Sequence, residues 1–187
     1  MSDMRETIMT AARLTVQAHG YSGLSFRELA KEVGIKSASI HYHFPTKGDL
    51  GAALARRYRE DAEAAFVGFW ADDPNPVRCL RRYTDVFRLA LANDNRMCLC
   101  GFLAAEYGDL PDAVKAEIQA FADLNVAWLA KILSAIEAFH DAPIAEERAY
   151  AIYAAIGGAQ LAARSRADIA VYDRIVQGYC AAGLIPD

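Results

Sequence analysis

Apolar residues recur at intervals of three and four along almost the whole chain, and hardly any segment alternates with a period of two. This spacing is typical of helices with one buried face, so the pattern predicts an all-α fold of about nine helices. The breaks between periodic stretches are rich in Pro, Gly, Asn and Asp, as in DDPNP at 72–76 and NDN at 93–95. The chain contains no internal repeat and no low-complexity segment.

The N-terminal part predicts three short helices. The first runs from about Asp3 to His19, with Gly20 as its C-terminal cap. An S-x-x-E capping box that begins at Ser25 starts the second helix, and Gly34 provides the turn that follows it. Ser37 is the expected N-cap of the third helix, which ends just before Pro45. Two short helices joined by a tight glycine turn predict a helix-turn-helix, a unit that commonly reads DNA.

The remaining apolar stretches predict six further helices. They run from a cap at Thr46 to the break at 72–76, from that break to about 92, from Met97 to about Tyr107, from Pro111 to about Phe139, from Ile144 to about Arg164, and from Asp168 to about Ala182.

The charge is distributed unevenly along the chain. Overall the protein carries a net charge of -4, which by itself does not suggest a nucleic-acid ligand. Residues 1–60, however, hold nine Lys/Arg against six Asp/Glu, whereas residues 61–187 hold eleven against eighteen. A basic N-terminal segment on an acidic remainder suits local contact with DNA phosphates.

Several protein classes are disfavoured. No run of 18 apolar residues lacks charge, so we expect no membrane span. Charges at Asp3, Arg5 and Glu6 argue against a signal peptide, and we expect a cytoplasmic protein. The four scattered cysteines match neither a disulfide scaffold nor a zinc site. No G-x-S-x-G, P-loop, HExxH or GxGxxG motif is present, so we expect no enzyme, no cofactor and no metal.

The third predicted helix carries a specific pattern. It reads Ser37, Ala38, Ser39, Ile40, His41, Tyr42, His43 and Phe44, followed by Lys47 and Leu50. With the two preceding helices and the long helical remainder, this pattern resembles the TetR family of transcriptional repressors over roughly residues 5–60. His41 departs from the family pattern, in which Tyr is usual at that position. The resemblance implies a DNA-binding domain at 1–46 and a helical domain for effector binding and dimerisation at 47–187.

The resemblance implies that the third helix enters the major groove of an operator. Small or polar residues on its outer face would let the backbone approach the DNA, while Ile40 and Phe44 would anchor it from behind. The predicted DNA contacts are Ser25, Lys36, Ser37, Ala38, Ser39, His41, Tyr42, His43 and Lys47. Ser25 and Ser37 would equally serve as helix caps, and His43 as a structural histidine. Because long donors are few, part of the specificity is expected from DNA shape.

The helical remainder would hold an effector pocket with apolar walls and a few polar groups. The candidate residues are Phe87, Leu91, Cys98, Phe102, Glu106, Phe121, Asn125, Trp128, Tyr153 and Gln160. For most of them ordinary core packing is an equally good interpretation. Asn125 lies on the apolar face of its predicted helix, where a buried amide needs a partner from either ligand or protein.

The resemblance also implies a homodimer, with a four-helix bundle formed by the last two helices of each subunit. The candidate interface residues are Ile152, Ile156, Ala159, Ile169, Tyr172, Ile175 and Tyr179. The same stripe would alternatively pack inside one subunit.

Two hypotheses for the trigger follow. In the first, an unidentified small effector releases a repressor from a palindromic operator. In the second, Cys98 or Cys100 senses electrophiles or oxidants, because Arg96 and the helix dipole would lower a thiol pKa. A cysteine that simply fills the core is the alternative interpretation of either residue.

Overall fold

The computed structural model describes residues 4–136, 139 and 141–187. Within these residues every regular element is helical, which confirms the all-α prediction. The helices are α1 Met4–His19, α2 Phe26–Val33, α3 Ser37–His43, α4 Lys47–Asp72, α5 Pro76–Ala92, α6 Leu99–Ala105, α7 Asp112–Ser134, α8 Ala142–Arg164 and α9 Ile169–Ala181, with a short 3-10 turn at Tyr107–Asp109.

Polar caps set the starts of several helices. The predicted cap of α4 is confirmed, because the Asp49 amide donates to Thr46 Oγ1 while Asp49 Oδ2 accepts from the Thr46 amide at 2.9 Å. Asn75 and Asp168 accept from backbone amides in the first turns of α5 and α9. Each cap satisfies one of the amides that the first turn of a helix leaves without a partner.

Two caps predicted in the N-terminal region are wrong in detail. Ser25 occupies the N-cap position of α2, but its side chain makes no capping hydrogen bond. Glu28, the other half of the expected box, pairs with Lys31 at 3.0 Å instead. The N-cap of α3 is Lys36 rather than Ser37, because the Lys36 carbonyl accepts the first turn's hydrogen bond from Ser39.

Two predicted helices are shorter than expected. The sixth begins at Leu99 because the ψ of Cys98, 126°, is not helical, and it ends at Ala105 with an amide that bonds to the carbonyl three residues earlier. The seventh ends at Ser134 rather than near Phe139, and the amides of residues 135 and 136 each bond to the carbonyl three residues earlier. Residues 3, 137 and 138, which the predicted first and seventh helices include, lie outside the described residues.

The chain divides into two compact units. We call Met1–Glu60 with Cys98–Phe121 the head unit, and Asp61–Met97 with Ala122–Asp187 the body unit. The head unit is therefore larger than the DNA-binding segment 1–46 that the sequence suggested. It contains α6 and the first half of α7 in addition to the helix-turn-helix.

The core of the body unit forms where α5 packs against α8 and α9. Leu80 and Ile156 are fully buried there. The buried Tyr172 hydroxyl donates to the Thr84 carbonyl at 2.7 Å, which satisfies a polar group that burial would otherwise penalise. At the surface, Arg88 holds Asp173 in a two-pronged ion pair with distances of 2.7 and 2.9 Å.

Candidate nucleic-acid interface

The glycine turn between α2 and α3 has the geometry that the sequence predicts. Gly34 has a φ of 76°, a left-handed conformation that costs glycine little, and its amide bonds to carbonyls at the end of α2. Ile40 and Phe44 are buried, with 0% and 2% of their surfaces exposed, and fix α3 from behind. The inward face of α3 is therefore fully used in packing, and its outward face remains for a partner.

The predicted contact residues lie on or around this outward face. Ser25, Lys36, Ala38, His41 and Tyr42 are exposed, whereas Ser37, Ser39, His43 and Lys47 are half-buried. Tyr42 is the most prominent of them, because 84% of its surface is exposed. Small side chains at the start of α3 leave its backbone open to close approach, as entry of a helix into the major groove requires.

His41, which replaces the usual Tyr of the family pattern, is held by two neighbours. Its ring packs edge-on against Phe26 with 4.8 Å between ring centres. Its Nδ1 lies 3.3 Å from the Pro45 carbonyl, which can only accept, so Nδ1 must carry the hydrogen. The imidazole thus presents its other nitrogen, Nε2, for any outside contact.

The other aromatic and basic side chains in this region also pack on one another. The Tyr42 and His43 rings meet edge-on, with their centres 5.1 Å apart. Lys47 places its Nζ 4.4 Å from the centre of the Tyr21 ring, a cation–π contact. Burial lowers the pKa of Lys47, while the nearby Glu106 carboxylate opposes that shift.

One exposed cation was not singled out from the sequence. Arg27 lies in the first turn of α2, two residues after Ser25, and its side chain is 81% exposed beside Glu28. The sequence signal that could have identified Arg27 is its position in the first turn of α2, the first helix of the helix-turn-helix. Arg27 and Ser25 together present a donor-rich edge at the start of α2.

The candidate pocket residues fall in both units. Cys98, Phe102, Glu106 and Phe121 belong to the head unit, whereas Phe87, Leu91, Asn125, Trp128, Tyr153 and Gln160 belong to the body unit. Among these candidates, Glu106 bonds to the loop between α1 and α2.

The two buried amides of the body unit have protein partners. Asn125 accepts a hydrogen bond from the Tyr83 hydroxyl at 3.1 Å. The side chain of Gln160 donates to the Phe87 carbonyl at 2.9 Å. These bonds give each buried side-chain amide a hydrogen-bond partner and fix its orientation inside the helical body.

Aromatic rings surround Tyr83, whose hydroxyl donates the hydrogen bond to Asn125. Trp128 stacks on Phe66 with 4.6 Å between ring centres and an interplanar angle of 21°. It also stacks on Tyr83, with centres 5.6 Å apart. We call Phe66, Tyr83 and Trp128 the aromatic cluster. Phe66 and Tyr83 are buried, so the cluster belongs to the packed interior of the body unit.

The structure does not favour the thiol-sensor hypothesis. Cys98 and Cys100 are both buried, with 3% and 1% of their surfaces exposed. Burial raises the pKa of the Cys98 thiol, and burial together with the neighbouring Cys98 raises that of Cys100 well above its ordinary value. The expected lowering by Arg96 is wrong, because the Arg96 guanidinium bonds instead to Asn93. Thiols in this state are poor nucleophiles.

We expect at most one thiol of the native protein to react quickly with a disulfide reagent such as DTNB. Cys180 is partly exposed, whereas the other three cysteines are buried. Absorbance at low reagent concentration should therefore report no more than one fast equivalent, which the Cys180→Ser variant removes. Denaturant should release the other three. Fast labelling of Cys98 or Cys100 in the folded protein would revive the sensor hypothesis.

The predicted dimer residues lie mostly on the inward side of the last two helices. Ile152, Ile156, Ala159 and Tyr172 are buried inside the chain's own body unit, and Ile169, Ile175 and Tyr179 are half-buried. The Tyr179 hydroxyl contacts the Ala155 carbonyl at 3.3 Å. The four buried residues therefore pack within the subunit, whereas the three half-buried residues of α9 keep part of their surface exposed.

A different face of α8 is open. Tyr150 and Leu161 are 55% and 57% exposed, and the small residues Ala151, Ala154 and Gly158 lie between them on the same side. These five residues, which we call the outer stripe, recur at helical spacing and include no charge. An exposed apolar stripe of this kind is typical of a surface that another chain covers.

None of the helices in the described residues is both long and apolar enough to cross a bilayer. In the same part of the chain, no group of three or more His, Cys, Asp or Glu residues is placed to hold a metal ion.

The chain is similar to known regulatory proteins. The sequence model of a family described as "Bacterial regulatory proteins, tetR family" matches residues 8–54. The transcriptional regulator AcuR from Cereibacter sphaeroides is 30% identical over 102 residues, which are 53% of this chain and 47% of AcuR. The HTH-type transcriptional repressor AcnR from Corynebacterium diphtheriae is 40% identical over 62 residues, 33% of this chain and 31% of AcnR. The matches thus span less than half the length of these curated relatives.

The similarity to solved structures extends over nearly the whole chain. A transcriptional regulator of the TetR family from Agrobacterium tumefaciens is 31% identical, covers 93% of this chain and 94% of its own, and superposes with a TM-score of 0.87. A TetR transcriptional regulator from Legionella pneumophila is 28% identical, with coverage of 95% and 98% and a TM-score of 0.87.

Proposed function

This chain belongs to the TetR family of bacterial transcriptional regulators, and we propose that it is a homodimeric, ligand-responsive repressor. In the absence of effector, the dimer binds a palindromic operator in double-stranded DNA. A small effector that binds in the helical body weakens this binding and releases the operator. The protein acts in the cytoplasm, where operator and effector meet.

The observation that carries the proposal is the two-sided character of α3. Ile40 and Phe44 are buried on one side, so α3 is packed firmly against the rest of the head unit. The other side exposes small and polar residues that leave room for a base edge or a phosphate. Phosphate contacts would set affinity and register, and contacts with base edges would set sequence. We propose that phosphates are contacted by Ser25, Arg27, His41, Tyr42, His43 and Lys47. We propose that base edges are contacted by Lys36, Ser37, Ala38 and Ser39.

Dimerisation fits both the operator and the outer stripe. Two recognition helices about one turn of duplex apart read two half-sites, so a two-fold axis in the protein matches a palindrome in the DNA. Small residues at Ala151, Ala154 and Gly158 permit close approach of a partner helix. We therefore propose that the outer stripe of α8 pairs across the axis.

The proposed effector site lies within the body unit. The aromatic cluster, together with Asn125 and Gln160, offers apolar walls and oriented amides. This lining suits an uncharged effector with a flat apolar part. Effector and operator would oppose each other through a coupling free energy of about 1–3 kcal/mol, the usual range for allosteric proteins.

Replacing Tyr42 or Ser39 by alanine is expected to weaken operator binding by about tenfold, because each substitution removes a polar contact worth about 1–2 kcal/mol. The measurement is fluorescence anisotropy with a duplex recovered by selection from a random library. Leu89→Ala, at an exposed position of α5, is the matched control and should bind like the wild type. Unchanged operator affinity in both head variants, with normal folding, would refute the assigned reading face.

A further inference from the structure

Glu106, at the end of α6, is bonded to the loop that joins α1 to α2. Its carboxylate accepts hydrogen bonds from the Tyr21 amide, from the Ser22 amide at 3.2 Å and from the Ser22 hydroxyl at 2.6 Å. One side chain thus satisfies three donors from two consecutive residues. Hydrogen bonds to an ionised acceptor are about twice as strong as neutral ones, so the loop is held firmly.

Two glycines beside or within the same loop show how closely it is packed. Gly20 has a φ of 74°, and a Cβ there would lie 2.5 Å from Glu106 Oε2 and 2.8 Å from the Phe102 ring. A Cβ on Gly51 of α4 would lie 2.9 Å from the Tyr21 ring. Neither position has room for even a methyl group. The loop is therefore packed closely against α4 and α6, and Glu106 is its hydrogen-bonding anchor.

The electrostatic surroundings keep Glu106 charged. Burial by itself raises the pKa of the carboxyl group, but the hydrogen bonds from Ser22 and Tyr21 and the nearby Lys47 ammonium outweigh it and leave the pKa below its ordinary value. An ionised carboxylate repels DNA phosphates, so Glu106 is not a plausible phosphate contact. Any effect of Glu106 on DNA binding is therefore indirect, and its hydrogen bonds to the loop are its main contacts.

The loop leads directly into the DNA-reading part of the head. Leu24, two residues after Ser22, is buried and donates its amide to the Tyr21 carbonyl at 3.0 Å. Ser25 follows at the start of α2, and α2 carries α3 through the Gly34 turn. Because this path contains few residues, a small shift at Tyr21 and Ser22 moves both helices against the DNA.

We propose that Glu106 is a positioning residue for operator binding, which holds the α1–α2 loop and thereby sets the placement of α2 and α3. This inference rests on the proposed function. It also assigns α6 a part in presenting the recognition helix, although α6 lies 55 or more residues beyond it in the sequence and outside the predicted DNA-binding segment.

The test compares Glu106→Gln with Asp109→Asn, which makes the same chemical change at an exposed position three residues away. The Glu106→Gln variant removes the negative charge and replaces one acceptor by an NH₂ group that faces the donors of the loop. We expect operator affinity in this variant to fall by about tenfold, the effect of losing a hydrogen bond to a charged group. Ser22→Ala, a milder change that keeps the backbone contacts, should shift affinity in the same direction by a smaller factor.

The salt dependence of binding separates positioning from contact. A residue that touches no phosphate leaves the slope of log affinity against log salt unchanged, whereas removal of a phosphate contact reduces it by about one. We therefore expect the wild-type slope in Glu106→Gln, with lower affinity at every salt concentration. Circular dichroism at the assay temperature establishes that the folded fraction is unchanged.

Three results would overturn the inference. The first is that Glu106→Gln and Ser22→Ala bind the operator as tightly as Asp109→Asn. The second is a reduced salt slope in Glu106→Gln. The third is a loss of operator affinity in Glu106→Gln that its unfolded fraction fully explains. If the wild type itself binds no duplex selectively, the proposed function fails and this inference fails with it. Selective wild-type binding with unaffected variants overturns the inference alone.

Discussion

Leu161→Glu is expected to convert the dimer into monomers and to weaken operator binding by about a hundredfold or more. Leu161 is 57% exposed on α8, at one end of the uncharged outer stripe. In a dimer that covers this stripe, the new carboxylate would be buried without a partner, and an unpaired buried charge costs several kcal/mol. A monomer would then hold only one half-site at a time, so the affinity gained by linking two heads would be lost. Sedimentation velocity over a range of concentrations measures the first effect, and anisotropy the second.

The chain offers a close control for this experiment. Leu89 on α5 is 65% exposed, so Leu89→Glu places the same charge at an equally open leucine. We expect this variant to remain dimeric and to bind the operator like the wild type. Dimers of unchanged affinity in Leu161→Glu would contradict the assignment of the outer stripe. Equal dissociation in both variants would show that added charge, rather than its place, separates the subunits.

Trp128→Ala is expected to lower the free energy of unfolding by about 3–5 kcal/mol, the usual range for removal of a large aromatic side chain from a core. The indole stacks on both Phe66 and Tyr83 and meets Phe69 edge-on at 6.2 Å. Its loss would leave a cavity beside the buried Tyr83 and Asn125, whose ring and amide pack too rigidly to fill it. Urea titration followed by circular dichroism, at fixed protein concentration, gives the change.

The second of the chain's two tryptophans serves as the control. Trp70 lies on α4 with 37% of its surface exposed, so Trp70→Ala removes fewer contacts and should cost less than half as much. Equal decreases in the free energy of unfolding for the two variants would contradict the assignment of the aromatic cluster to the core. The same variants test the effector proposal, because a ligand that stacks in the cluster should lose its effect on operator binding in Trp128→Ala and keep it in Trp70→Ala.

The parts of the fold that sequence predicts well are those with local causes. The turn at Gly34 and the buried face of α3 follow from a conformation that favours glycine and from the spacing of Ile40 and Phe44. The start of α4 follows from the Thr46–Asp49 box. Each of these signals lies within a few residues of the feature that it determines, so no knowledge of the tertiary structure was needed.

The differences between prediction and structure have equally definite causes. In α8, apolar residues occur on every side, so periodicity cannot tell which face is buried, and the three predicted interface residues of α8 lie on the inward face. The partners of Glu106 lie some 85 residues away in the sequence, which no local pattern reveals. Ser25 and Glu28 fit a capping box, but Lys31 competes successfully for the Glu28 carboxylate. Tertiary partners and competing side chains decided all three cases.

Selection of duplexes from a random library by the purified protein, with and without about 200 mM salt, tests the central claim most directly. A dimer with two reading helices predicts enrichment of a palindromic site whose half-sites lie about one helical turn apart, retained at the higher salt. Binding that is blind to sequence and abolished by salt would come from electrostatic attraction alone. That result would contradict the proposed operator-binding repressor.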